Sequence, residues 1–319
     1  MSQCINKKSN CRVFQINIMN ISPDIHLFDR NTIRHLRFPF SFFLMPVFLF
    51  AVSQSDHLDW VHTLLAFFIL HFLVFPSSNG YNSYQDRDES SIGGLKYPPR
   101  VSENLFWVTL LFDMAALLLA LVISPLFSFM ILVFVTMSRL YSYRGVRLKK
   151  YPVIGFLTVF IFQGAFVFFM SFVAVNSNPP ADLLSVQNIL CMAVSSLFIG
   201  SMYPLTQIYQ HEADIKDGVT SISYLLGYHG TFIFSAILFA AATALLLFYF
   251  ISRGQTEVPL LFFVMILPVI IFFSKWFSQV RKSSRFANFE NTMRANLISS
   301  VCMNLFFLIL IINNRIVIF

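Results

Sequence analysis

Charge is scarce in this chain: Asp, Glu, Lys and Arg make up only 12% of its 319 residues, about half the usual share of a soluble domain. With 57% of the residues apolar and 40 phenylalanines, one aqueous core could not hide the surplus, so lipid must solvate most of the surface. That excludes an ordinary water-soluble protein. Cysteine is scarcer still at 4 residues. Cys4, Cys11, Cys191 and Cys302 show no paired ligand spacing, which argues against a zinc site and predicts free thiols. Residues 1–37 lack a leading apolar core and are polar and basic. They read as an amphipathic or disordered cytoplasmic extension rather than a cleaved signal peptide.

What is present is a series of apolar windows, each about 20 residues long and able to cross roughly 30 Å of hydrocarbon. Nine can be read, at about 38–54, 60–78, 102–123, 125–142, 152–174, 184–205, 229–251, 257–274 and 296–317. Only Ile123, Ser124 and Pro125 separate the third from the fourth. The expected fold is an all-α integral membrane protein.

Basic residues orient it, because Lys and Arg collect in cytoplasmic loops. With the N-terminus inside, 20 of the 22 Lys and Arg fall on the cytoplasmic side; only Arg253 and Arg315 do not. The bias independently supports an odd number of spans. It also accounts for the net charge of +7 without a nucleic-acid partner.

Two of the longer cytoplasmic loops, 79–101 and 206–228, each carry an acidic cluster and lie four helices apart. The spacing suggests two four-helix halves plus a ninth helix, with the site between the halves. In "NSYQDRDE" (82–89), Asn82 and Asp86 are spaced i, i+4 and share a helix face, with Asp88 and Glu89 following. In "TQIYQHEADIKDGVTS" (206–221), Gln210 and Asp214 repeat that spacing, flanked by Glu212, Lys216 and Asp217. Six of the chain's 15 acidic residues lie in these two stretches. Solvated loop charges are the plain alternative, yet charge is too scarce elsewhere for that to be the better reading. Crowded carboxylates repel unless a cation joins them, and hard oxygen ligands with amide support suit Mg²⁺, which commonly binds one or two carboxylates plus substrate phosphates. Two such patches at one cavity mouth would hold a diphosphate, with nearby Arg and Lys neutralising the remaining oxygens.

These features resemble the UbiA superfamily of membrane-embedded prenyltransferases. "NSYQDRDE" is similar to that family's first Asp-rich motif and "YQHEADIKDGVTS" to its second. "LRFPFSFFLMPVFLF" (36–50) is similar to its first helix, and "RLYSYRGVRLKKYPVIG" (139–155) to the basic loop before its fifth. The resemblance runs from about residue 34 and implies nine transmembrane helices around a central cavity, with 1–36 as an extension and 37–319 as the domain. It implies Mg²⁺-dependent transfer of an isoprenyl group from an isoprenyl diphosphate to a lipophilic aromatic acceptor, a quinone or pigment precursor. Alternatives are a terpene cyclase or non-aromatic lipid prenyltransferase of the same fold, and, from another class, a transporter. By position, Asn82, Asp86 and a neighbouring carboxylate, Asp88 or Glu89, form the first metal site. Asp214 anchors the second, with Glu212 compensating for the uncharged Gln210. Arg37, Tyr141 and Arg144 or Lys149 stand near the diphosphate. Three positions depart from the family pattern: Ser90, Gln210 and Thr220, where Lys216 is the nearest base to a missing lysine. The implied location is a bacterial inner membrane, with the site facing the cytoplasm.

Two further expectations concern the membrane interior. Asp113 and His71 are expected to pair between adjacent helices, and a few rings of "FLTVFIFQGAFVFFMSF" (156–172) to face the cavity, with Gln163 bonding to a neighbouring helix.

Overall fold

The structure is a computed structural model that describes residues 27–176 and 183–316. Lys7, Lys8, Arg12, Cys4 and Cys11, with most of the expected extension, lie outside the described residues, as do 177–182 and the side chain of Arg315. Cys191 and Cys302 are free thiols.

The described elements are helical. A short helix α1 (Arg30–Leu36) leads through a 3-10 turn, Phe38–Phe43, into α2 (Met45–Ser53). Then follow α3 (Trp60–Asp86), α4 (Asn104–Ile123), α5 (Pro125–Ser142), α6 (Pro152–Val175) and α7 (Val186–Gln207). The short α8 (His211–Lys216) precedes α9 (Ile222–Ser252), α10 (Val258–Lys282) and α11 (Phe289–Ile316). Among the described residues eight helices are long and apolar enough to cross a membrane, or nine if the pair Arg30–Phe43 and Met45–Ser53, bent by 43°, counts as one span. Each of the nine apolar windows falls on one of these helices or on the bent pair.

Local chemistry sets the helix starts. Asp59 Oδ1 accepts from His62 N at 2.9 Å to cap α3. Between α4 and α5, Ser124 is extended and its Oγ accepts from Phe127 N at 3.0 Å, while Pro125 occupies the first helical turn, where its missing N–H is harmless. The outward faces are apolar, the reverse of a soluble fold. Along α10, Leu260, Phe263, Val264, Leu267 and Ile271 all stand half or more exposed.

Helices α7 and α9 pack along each other, and α6 along α7. The last helix, α11, lies along both α10 and α2, so the bundle closes on itself. Gly164 permits the α6–α7 approach, since a Cβ there would come within 2.7 Å of Ser196 N. The aromatic core includes Phe50 stacked on Phe307 at 4.7 Å and Phe262 edge-on to Phe306 at 5.1 Å.

Two crossings contain π-helical turns, Ile69–Val74 in α3 and Phe160–Phe166 in α6. An extra residue in a turn rotates everything beyond it, a device frequent at functional sites. The expected pair of His71 with Asp113 does not form. His71 instead stacks on Phe67 at 4.6 Å and meets Phe48 and Phe75 edge-on. Asp113 forms its ion pair with Arg139 of α5, whose guanidinium lies 3.9 Å from the Tyr81 ring centroid, while Ser77 Oγ donates to Asp113 at 2.5 Å. Arginine is the better partner because it stays charged and carries five donors.

Candidate active site

The second crossing does not stop where its apolar run stops. Helix α3 continues through Asn79, Asn82 and Asp86 and ends only at Arg87, which takes the left-handed conformation (φ 54°) and donates its N–H to Ser83 O. Continuation puts Asn82 and Asp86 on one face, one turn apart. Lys149 Nζ donates to Asn82 Oδ1 at 3.0 Å and also bonds Asp86 Oδ2. Ser142 Oγ donates to the same Asn82 oxygen at 2.9 Å.

The second acidic stretch forms α8 and a tight turn at Gly218 (φ 68°), a conformation glycine adopts without strain. The turn places Asp217 against Arg147. That guanidinium joins both acidic segments: it donates to Asp86 Oδ1 at 3.1 Å, bonds the Asp217 carboxylate, and donates to Asp217 O at 3.0 Å. Arg147 is itself left-handed (φ 52°), held by its N–H on Tyr143 O at 2.7 Å.

The loop after α3 folds back over this end of the bundle. Gln210 Nε2 donates to Ser91 O at 3.1 Å, and Arg37 donates to Gly93 O at 3.1 Å and to Asn79 O at 2.8 Å. Beneath lies a cavity of about 280 Å³. Its mouth carries Arg37, Asp86, Asp88, Lys149 and Asp214, and its deeper walls carry Phe75, Phe134 and Phe162. Tyr141 and Tyr203 share a hydrogen bond of 2.6 Å there, and Gln207 Nε2 donates to Tyr203 Oη at 2.8 Å.

Of the residues expected at the site, the structure brings Arg37, Asn82, Asp86, Asp88, Tyr141, Lys149, Gln210 and Asp214 into one cavity lining. Glu89, Glu212 and Lys216 are exposed and outside it. Arg144 is half exposed and reaches only the rim, bonding Gln85 O at 2.6 Å and Asp217 Oδ1 at 3.3 Å. Arg147 and Asp217 were not expected as site residues. No sequence signal separates Arg147 from Arg144; the left-handed turn decides which points inward. Of the Phe-rich stretch, Phe162 and Gln163 reach the lining, so Gln163 faces the cavity rather than bonding a neighbouring helix.

The mouth is electrostatically uneven. Asp86 has two cationic partners, whereas neither Asp88 nor Asp214 forms an ion pair among the described residues. Burial, reinforced by the nearby Asp86 charge, pushes Asp88 up to about 6. Burial pushes Asp214 up to about 7; Lys149 opposes the rise and Asp88 and Asp86 add to it. Asp217 is buried enough to resist ionisation, yet hydrogen bonds from Arg147 and Arg144 outweigh that and hold it below the usual carboxylate range. Among the described residues no three His, Cys, Asp or Glu are gathered tightly enough to hold a metal alone. One or two carboxylates with a phosphate-bearing ligand are what Mg²⁺ ordinarily takes, and Asp88 and Asp214 fit that pattern.

A model of the UbiA prenyltransferase family matches residues 42–298. A solved UbiA homolog from Archaeoglobus fulgidus bound to GPP and Mg²⁺ has a TM-score of 0.64 at 18% identity, over 88% of this chain and 99% of its own. A UbiA homolog from that organism bound to DMAPP and Mg²⁺ gives 0.64 at 18%, with 88% and 99% covered. A digeranylgeranylglyceryl phosphate synthase in membranes gives 0.56 at 19%, with 89% and 97% covered. At these identities the solved structures establish the fold. Among curated proteins none matches.

Proposed function

The chain belongs to the UbiA prenyltransferase family, and on that premise we propose that it moves an isoprenyl group, with Mg²⁺, from an isoprenyl diphosphate to a lipophilic aromatic acceptor in the membrane. The observation that carries this reading is a pair of half-buried carboxylates, Asp88 and Asp214, without ion-pair partners among the described residues, on opposite acidic segments of one cavity mouth that also holds Arg37 and Lys149. Bound Mg²⁺ would supply the positive charge that lets both carboxylates ionise together and draws electrons toward a departing diphosphate. Asp88 and Asp214 would hold the ion, with Asp86 and Asn82 behind them. Arg37 and Lys149 bind diphosphate oxygens, and Tyr141, its hydroxyl hydrogen-bonded to Tyr203, lines the cavity beside them. Phe75, Phe134 and Phe162 offer ring faces to the positive charge that develops on the allylic carbon as its C–O bond breaks. The acceptor's nucleophilic carbon then bonds to that carbon and loses its proton.

The mouth faces the cytoplasm on the strength of the Lys and Arg distribution, and the inner membrane of a bacterium suits such an orientation. A transporter would place its site near the bilayer midplane, whereas these carboxylates stand at helix ends. The test is incubation of the purified protein with labelled isoprenyl diphosphates, Mg²⁺ and a panel of aromatic acceptors. Mg²⁺-dependent release of diphosphate and a prenylated product are expected. Release that persists undiminished in Asp86→Ala and Asp214→Ala would overturn the metal assignment.

A further inference from the structure

We propose that a side chamber between α2, α7, α9 and α11 seats the head of the acceptor, and that this head is uncharged and oxygen-bearing, a phenol or quinol rather than a carboxylate or phosphate ester. The inference rests on the prenyl-transfer reading of the main cavity. The chamber, about 80 Å³, adjoins that cavity and shares Phe43, Ile199, Met202 and Asn296 with it.

Its chemistry differs from that of the main cavity. The mouth holds four aspartates, two arginines and a lysine; the side chamber is lined by no charged residue. What it does hold is buried and polar. Asn296 is 6% exposed and Ser195 3%, and Asn296 Nδ2 and Ser195 Oγ have no hydrogen-bond partner among the described residues. An amide donor left bare inside a membrane protein is costly, because no water from the lipid side can satisfy it.

Interhelical adhesion is the competing explanation. Thr292, Asn296, Ser300 and Asn304 recur every fourth residue along α11 and all are buried, as in polar stripes that join membrane helices. Groups that join helices are hydrogen-bonded to them, however, and the Nδ2 groups of Asn296 and Asn304 have no partner among the described residues. The donor's isoprenyl tail is a poor occupant, since a hydrocarbon would strand both Asn296 and Ser195. An anionic head is equally poor, with no cation in the lining to receive it. A neutral oxygen able to accept from Asn296 and exchange a hydrogen bond with Ser195 satisfies both.

Equilibrium binding to the purified full chain in detergent tests this without requiring turnover. The probes are an octyl-substituted hydroquinone, an octyl-substituted benzoate, and labelled geranyl diphosphate with Mg²⁺. The hydroquinone is expected to bind at least tenfold more tightly than the benzoate. Asn296→Leu and, independently, Ser195→Ala should weaken hydroquinone binding tenfold or more while geranyl diphosphate binding stays within twofold. Equal hydroquinone affinity in both variants, or preference for the benzoate, overturns the acceptor chamber and leaves the donor site standing. Absence of Mg²⁺-dependent geranyl diphosphate binding in the unaltered protein strikes at the prenyl-transfer reading instead, and with it the premise of this one.

Discussion

Arg147 donates to Asp86 across 3.1 Å and so ties the loop after α5 to the last turn of α3. Both side chains are nearly buried, 9% and 5% exposed, and the same guanidinium reaches Asp217. Removing one partner of such a pair typically costs about 3 kcal/mol, because the other charge is left uncompensated. Arg147→Ala is therefore expected to lower thermal stability in detergent and to raise the KM for the diphosphate donor. Arg147→Lys should recover only part of the loss, since an ammonium cannot span two carboxylates as a planar fork does. Full recovery by lysine would show that only charge matters at this position.

The two raised carboxylates give the metal-free protein an unusual pH dependence. Asp88 near 6 and Asp214 near 7 both lie above an ordinary aspartate. A raised folded-state value means stability that is full at low pH and lost as pH rises through that value. Melting temperature without metal should therefore fall from about pH 4, the ordinary aspartate value, to about pH 7 and level off above it. Binding of Mg²⁺ with the donor selects the ionised carboxylates, so its affinity should climb over the same interval and then level off. Asp214→Asn should remove the upper part of both trends. A flat melting profile across this interval in the unaltered protein would count against the shared protonation.

Exposure separates the acidic residues proposed to hold the metal from those that are not. Asp88 and Asp214 line the cavity, while Glu89 and Glu212 are exposed outside it. Asp88→Asn and Asp214→Asn are each expected to reduce kcat/KM by roughly a hundredfold or more, comparable with the removal of an electrostatic group that acts in the transition state. Glu89→Gln and Glu212→Gln should stay close to the unaltered enzyme. A large loss in either glutamate variant would return it to the metal shell.

Asp113 and Arg139 form an ion pair inside the membrane, away from the mouth. Asp113→Leu strands a guanidinium among apolar helices, with an expected loss of about 3–5 kcal/mol by analogy with other broken buried pairs. The double variant Asp113→Leu with Arg139→Met should be markedly more stable than the single one, read as melting temperature in matched detergent. If the double variant is the worse of the two, the pair does more than neutralise itself.

Apolar windows and basic loops were enough to read nine crossings, because hydrocarbon thickness imposes length on each of them. The convergence of "NSYQDRDE" and "YQHEAD" on one cavity was legible from their spacing and from their placement four helices apart. Helix ends at the mouth were not. The i, i+4 spacing of Asn82 and Asp86 puts them on one helix face, yet polarity ends the apolar window at 78. The helix runs unbroken to Asp86 because its last turns face a protein cavity. The partner of Asp113 was illegible for another reason: the choice between His71 on α3 and Arg139 on α5 depends on how three helices pack, which the pattern along any one of them does not register. The choice of Arg147 over Arg144 likewise depends on one left-handed residue.

Helix α11 packs along α2, so the first and last crossings are neighbours and the bundle has a seam. The side chamber lies on that seam, with Phe43, Pro46 and Val47 on one side and Asn296, Ser300 and Met303 on the other. During synthesis the earlier helices emerge with the ring still open, and the wall that separates the reaction space from lipid arrives last. A chain halted before α11 would carry every acidic residue of the mouth and still enclose nothing.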